Sequence, residues 1–371
     1  MLEVIRPNGR LIRAVRYINF LGESIEDVVL DTAGGPVQSW ASLSPSPERG
    51  FLDLGPLTVL PGLVDCHVHL ALPPPRLGDD AAQVLAGRLA GCLDYGLIAV
   101  RDGGDRLGST LDLKKHQELP RLVACGPALH PPGSYGTFLG PAFGPEHIID
   151  QIAELAGKGA DQIKILVTGP VNLDSLEAID TPHFSARALS RLVGEAHRRQ
   201  LKVMAHANGV AGVRMALTCG IDSLEHGYGM DEDTLAQLAE SGVTWVPTLA
   251  PMAALVTQGP ANLREAAAAA LAGQMRDISR AHSLGIKIAV GTDAGAPGVV
   301  HGLSYLWELQ LLGQGGLQPA ALIRAATFEG ARLLDLPGRN SPVDLPLAFI
   351  AVAGNPLEDL EALKHVHAVI A

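Results

Sequence analysis

The sequence predicts an α/β protein: a (β/α)8 barrel of the TIM type over residues 58–337, beside a small composite β-sandwich built from residues 1–57 and 338–371. Three observations carry this expectation. From Thr58 onward, short β-branched runs alternate with longer amphipathic stretches, the pattern of a parallel sheet wound with helices. Eight such runs occur, which favours a barrel over an open sheet. The two ends of the chain instead carry strand-like runs without long helical stretches between them.

Taken in order, LIRAVRYINF and DVVLDTAG read as short strands, and SLSPSPERG as a turn-rich joint leading into the barrel. The barrel runs are TVLPGLVDCHVH, LIAVRD, RLVACG, QIKILV, LKVMAH, DSLEH, VTWVPT and IKIAVGTD. Between them, SARALSRLVGEAHRR starts at an N-cap, Ser185, and places Leu189, Leu192, Val193 and Ala196 on one helical face, as an outer barrel helix requires. No GxGxxG follows the first strand, which argues against a dinucleotide-binding sheet. REAAAAALAG is strong helix former. After the break PGRNSPVD, LAFIAVAGNPLED and HVHAVIA read as strands that return to the N-terminal ones.

Composition narrows the function classes. With 371 residues, 47% hydrophobic and 18% charged, the chain buries a substantial core and is too apolar for disorder. Its formal charge of −11, with no basic block, lacks the electrostatic footprint of nucleic-acid binding. Cys66, Cys92, Cys125 and Cys219 form no CxxC pair, so neither a disulfide framework nor a cysteine zinc knuckle is expected. The start MLEVIRPNGR lacks the apolar run of a signal peptide, and no segment reaches the length of a membrane span. The expected setting is the cytosol, with a small-molecule substrate, no nucleic-acid or membrane partner, and a homo-oligomer left open.

Strand parity then gathers the chemistry. Alternation points His67 and His69 the same way in DCHVH, with Cys66 and Val68 opposite. In QIKILV it turns Lys164 into the barrel. In LKVMAH and IKIAVGTD, His206 and Asp293 face inward, and His226 closes DSLEH in the matching position. All lie at C-terminal strand ends, the end where barrel enzymes build active sites. Converging imidazoles and a carboxylate suit divalent metal of the zinc class. An ammonium with an ordinary pKa of about 10.4 would repel such ions; a buried, neutral Lys164 that adds CO2 becomes an anionic carbamate able to bridge two. Two metals with a bridging hydroxide, and Asp293 passing its proton to the leaving group, make a metal-assisted hydrolase. Each residue alone has a plainer role, such as a core histidine or an N-cap for Asp293; their coincidence at one rim favours the metal site. His130, Tyr135, Tyr228 and His301, on loops after barrel strands, are the candidate substrate contacts. His197 and His282 sit near helix C-termini and read as structural, and His365 and His367 as surface.

At these residues the sequence resembles the amidohydrolase superfamily over nearly its whole length. PGLVDCHVHL resembles the first-strand metal motif, GADQIKILVTG the carboxylated-lysine segment, KVMAHANG and DSLEHGYG the later histidine strands, and VGTDAG the catalytic aspartate. With EAHRR, WVPTLAP and a late HG before WELQLL, the chain is most similar to the branch of imidazolonepropionase-like proteins and metal-dependent Xaa-Pro and other Xaa-amino-acid dipeptidases. The resemblance implies that His67, His69 and Asp293 hold one metal, His206 and His226 the second, and carboxylated Lys164 bridges them. GSYG departs from the branch by placing Tyr135 where a histidine would fall, and LAFIAVAGNP departs from the usual Ala-Asp-Leu-Val strand. The expected reaction is hydrolysis of an amide or peptide-like C–N bond in a dipeptide or N-acyl amino acid. Ester, lactone or cyclic-amide hydrolysis is the alternative, deamination ranks lower, and a catalytically silent metal-binding scaffold is the reading of another class.

Overall fold

The computed structural model describes residues 3–6, 11–31, 38–39, 51–116, 119–144, 147–173, 181–337 and 347–371. Its strands are β1 Glu3–Ile5, β2 Leu11–Ile18, β3 Ser24–Asp31, β4 Gln38–Ser39, β5 Phe51–Asp53, β6 Leu57–Pro61, β7 Leu63–Val68, β8 Leu97–Asp102, β9 Arg121–Ala124, β10 Gln162–Leu166, β11 Lys202–Ala207, β12 Ser223–His226, β13 Thr244–Val246, β14 Phe349–Ala353 and β15 Val366–Ile370. The joint SLSPSPERG and the part of PGRNSPVD beyond Pro337 lie outside the described residues.

The middle of the chain forms two parallel sheets, β7-β8-β9 and β10-β11-β12-β13, with helices in the connections. Isolated pairing links their edges. Leu129 bridges Ile165, donating its N–H to the Lys164 carbonyl at 2.8 Å. On the other side, Trp245 bridges Ile288 and Val68 bridges Ala294. The run IKIAVGTD therefore lies between β13 and β7 without becoming a regular strand. Its side-chain bonds explain why: the Thr292 N–H and hydroxyl donate to Asp65 at 3.0 and 2.7 Å, replacing ladder bonds that a strand would make there.

Apolar residues of one parity cover the outside of these sheets. Ile163, Ile165, Val203 and Ala205 share a core cluster with Leu189, Leu192, Val193 and Ala196 of the helix Ala186–Arg198. Ser185 caps that helix as expected, its hydroxyl accepting from the Ala188 N–H at 3.2 Å. Parity fails within β7. The register of β7 shifts between Asp65 and Val68, so Cys66, expected opposite His67, instead packs with Val64, Ala99, Val246 and Ala289.

Strands from both termini share one sheet, in the order β1-β15-β14-β6-β2-β3-β4, with β5 added to β2. Period-two alternation divides its faces. Val59, Phe349, Ala351, Ala368 and Ile370 join Ile12, Tyr17 and Val28 in a cluster of their own, whereas Leu60, Ile350, Val352 and Val369 enter the main core. β6 spans the boundary expected at residues 57 and 58, and it pairs with β14 and β2, which places it in the terminal sheet.

Ile350 is fully buried on the face that enters the main core. Ile350→Ala should lower stability by about 2–5 kcal/mol in chemical denaturation. A loss under about 1 kcal/mol would show that the terminal sheet adds little to the packing of the rest.

Candidate metal centre

Strand ends deliver the six expected ligands to one place. His69 Nε2 and His67 Nε2 lie 3.2 and 3.6 Å from Asp293 Oδ1. Lys164 Nζ lies 3.5 Å from His67 Nε2. The His226 ring centroid is 5.0 Å from that of His67 and 4.4 Å from that of His206. Ligand atoms of His67, His226 and Asp293 fall within 4.8 Å of one another. The backbone is bent to achieve this: His226, Thr248 and Asp293 adopt positive φ of 69°, 50° and 56°, which side-chain-bearing residues rarely take. Parity alone gives the inward position on β12 to Glu225; the turn at His226 brings its ring to the centre as well.

Hydrogen bonds assign the histidine tautomers. His67 Nδ1–H donates to Glu225 at 2.8 Å and His69 Nδ1–H to the Gly104 carbonyl at 3.1 Å, which turns both Nε2 atoms toward Asp293 Oδ1; burial lowers the His69 imidazole, but the Asp293 carboxylate holds it above its ordinary value. His206 bonds through Nε2–H to the Gly169 carbonyl at 2.9 Å, leaving Nδ1. Thr248 gives its hydroxyl proton to the Pro247 carbonyl and accepts from His226 Nδ1–H at 2.6 Å, leaving Nε2. One nitrogen held and one free on each of four rings is the arrangement of metal-ligating histidines. Gly103 completes the cradle, because a Cβ there would meet His67 Nε2 at 3.0 Å and His69 Cε1 at 3.1 Å. The residues present fit a divalent metal.

Electrostatics agree. Burial pulls the Lys164 ammonium down from its ordinary value, against Glu225 and Asp293. Burial, then Lys164, holds His67 well below the usual imidazole range, so its ring is neutral. Burial would raise the Asp293 carboxyl, yet His67, His69 and Lys164 hold it below the usual range, so it is ionised.

Of the expected substrate contacts, Tyr135 and Tyr228 line the cavity of about 470 Å³ above the centre. His130 and His301 do not. His130 is fully buried, with its ring nitrogens 3.0 and 3.1 Å from the carbonyls of Gly140 and Pro131, so it braces its own loop. His301 Nε2–H donates to the His69 carbonyl at 3.0 Å and so supports the backbone of a ligand. His197 pairs with Asp222 at 2.8 Å, a structural role. Sequence reasoning missed Glu225 and Arg101. Fully buried Glu225 bonds His67 through Oε2 and the Arg101 guanidinium through Oε1, both at 2.8 Å, while the Ser223 hydroxyl donates to Oε1 at 2.5 Å. Their signal was available: charged residues alternating with apolar ones in LIAVRD and DSLEH.

A deep histidine, lysine and aspartate cluster at the strand ends of an α/β fold defines the class of metal-dependent hydrolases. Within it, this chain belongs to the amidohydrolase family, whose model matches residues 58–341, and is a hydrolase acting on C–N bonds. It is 31% identical to an ochratoxinase of Aspergillus niger over 84% of this chain and 73% of that one. It is 28% identical to an uncharacterized protein of Mycobacterium tuberculosis over 100% of this chain and 97% of the other. Among solved structures it resembles a Xaa-Pro dipeptidase with methionine bound in the active site, at a TM-score of 0.82 and 25% identity, covering 96% of this chain and 97% of that one.

Because Glu225 fixes the His67 tautomer, Glu225→Gln should weaken metal binding about 10–100-fold in chelator competition. Unchanged affinity would remove Glu225 from the support of the centre.

Proposed function

We propose that the protein is a binuclear metal-dependent hydrolase of amide or peptide-like C–N bonds, of the dipeptide or N-acyl amino acid type. The observation that carries this reading is the fully buried Lys164, its ammonium disfavoured by burial, facing His67 at 3.5 Å in a nest of four histidines and an aspartate. An amine without charge adds CO2, and the carbamate formed has two oxygens for two ions. His67, His69 and Asp293 would hold one ion and His206 and His226 the other, with Lys164 between them. When bound, such ions, zinc in this reading, supply Lewis acidity and a nucleophile at neutral pH. The names of the ochratoxinase and the Xaa-Pro dipeptidase support amide chemistry.

The chain's own residues supply the proton path. Asp293, ionised and at the rim, accepts a proton from the attacking water at a carboxylate oxygen and returns it to the leaving nitrogen. Tyr135 and Tyr228 face the same cavity, where they orient the acyl group. In the same reading, the bridges through Leu129, Ile288 and Ala294 close a (β/α)8 barrel, and the terminal sheet, with apolar clusters on both faces, folds into the composite sandwich. The free thiols Cys66, Cys92, Cys125 and Cys219 support a reducing, cytosolic setting. No helix among the described residues is long and apolar enough to cross a membrane.

Elemental analysis of protein purified without chelator should approach two metal equivalents per chain, and Lys164→Ala should lower that number; a fully active sample with a single equivalent would overturn the binuclear reading. Asp293→Asn retains an oxygen but no longer accepts the proton. Turnover should fall about 10²–10⁴-fold with metal content largely kept, and near-normal turnover with full metal content would move the proton transfer to another residue.

A further inference from the structure

The walls of the cavity differ in charge from its floor. Lys164 is the sole Lys or Arg side chain among the described lining residues, and it faces His67 on the floor. Above it the walls are built from Leu72, Phe138, Leu166, Val171, Met252 and Leu255. The polar wall groups are uncharged: Asn208, whose side-chain oxygen accepts from the Tyr228 N–H, Thr248, and the two tyrosines. Burial pushes the Tyr135 phenol up to about 12, so it acts as a neutral donor at physiological pH. Arg106, on the loop after β8, does not line the cavity and donates to the Thr137 carbonyl. Residues 174–180, which follow Val171–Leu173 and lie outside the described set, contain Asp174, Glu177 and Asp180 and no Lys, Arg or His.

A carboxylate held against such walls loses its hydration and gains no cationic side chain from them, and a buried charge without a partner is strongly disfavoured. A neutral amide or aryl group meets no such penalty and gains from leaving water. The volume of about 470 Å³ suits a small organic ligand. Resting on the amide-hydrolase reading, we infer that this site takes neutral, apolar acyl amides, with both sides of the scissile C–N bond free of charge, in preference to amino-acid derivatives with a free carboxylate. Among the amide and peptide-like C–N bonds proposed above, blocked N-acyl amides are the favoured substrates, and the inference sets zwitterionic dipeptides and free N-acyl amino acids below them.

The test uses two compounds that share one benzoyl amide bond and differ at the leucine carboxyl, free and anionic in N-benzoyl-leucine and blocked and neutral in its methylamide. Benzoate release by the metal-loaded enzyme should give a kcat/KM at least about tenfold higher for the methylamide. Leu255→Arg, which adds a cation to the wall, should narrow or reverse that ratio. Equal or higher kcat/KM for the free acid would overturn the inference while leaving amide hydrolysis intact. If neither compound is cleaved, the proposed N-acyl amino acid substrate type loses its support, and calorimetric binding of the same pair to the intact protein still decides the charge preference: tighter binding of the methylamide sustains it, and equal or tighter binding of the acid overturns it.

Discussion

A carboxylate with no exposure to solvent, Glu225, sits between the His67 imidazole and the Arg101 guanidinium, and the centre depends on that pairing. An unpaired carboxylate buried there would be strongly disfavoured, and the Arg101 guanidinium, 2.8 Å from Oε1, compensates its charge. Arg101 is itself buried and fully engaged, donating from Nε to the Cys66 carbonyl at 2.5 Å and from Nη1 to the Ser223 hydroxyl at 2.9 Å. The chain thus ties β7, β8 and β12 together through side chains in addition to their backbone ladders. Removing one member of such a buried set costs about 3–5 kcal/mol, because the remaining charge is left unpaired. Support of the histidine and cohesion of the sheets are one interaction here.

The same economy governs the backbone around β7. Asp65 accepts from the Thr292 N–H and hydroxyl and from the His67 N–H, so one side chain secures both the segment carrying Asp293 and the segment carrying His67. Asp102 does the equivalent one strand over, accepting from the Leu70 and Gly104 N–H groups and thereby fixing the carbonyl that receives His69 Nδ1–H. Asp293 is held from three directions: its N–H bonds the His67 carbonyl at 2.7 Å, its carboxylate faces His69, and Gly295 follows at φ 107°, where a Cβ would strike the His69 carbonyl at 2.6 Å. A glycine is required there because the two ligand segments approach more closely than any side chain allows. Positioning precedes chemistry, and it is accomplished by acids that need touch neither metal nor substrate.

These supporting acids mark the limit of what was legible in the sequence. Five of the six ligand candidates could be read from parity and residue type in strand-like runs, and His226 from residue type, since parity gives the inward position on its strand to Glu225. The parallel order of the middle strands and the return of the C-terminal strands to the N-terminal ones were legible for the same reason. Three things were not. The register shift in β7 leaves no mark in DCHVH, so the packing of Cys66 could not be anticipated. The positive φ of His226 reverses the parity of its strand, and nothing in DSLEH distinguishes that bend from a regular ending. His130 looked like a substrate contact because loop histidines after barrel strands face ligands as readily as they brace loops; only the two carbonyl partners decide it.

Division of labour between strands and loops follows from these constraints. The ligand candidates and their supports sit in or beside strands among buried side chains, where a change in one of them reaches its hydrogen-bonded neighbours. The cavity walls come mostly from connecting segments, such as Tyr135–Leu139, Pro170–Leu173 and Pro251–Leu255, whose lining side chains make apolar contacts. Apolar contacts are weakly directional, so walls of this kind tolerate exchange of one hydrophobic residue for another far better than the polar floor tolerates exchange of its own. Among the described lining residues, Lys164, Asp293 and the histidines lie on the floor and the walls add no charged side chain; a wall residue changed to Lys or Arg would face Lys164 across the cavity, and one changed to Asp or Glu would face Asp293. A floor that concentrates charge therefore favours walls that exclude it, and the neutral cavity is a consequence of the same electrostatics that hold Glu225 and Arg101 together below it.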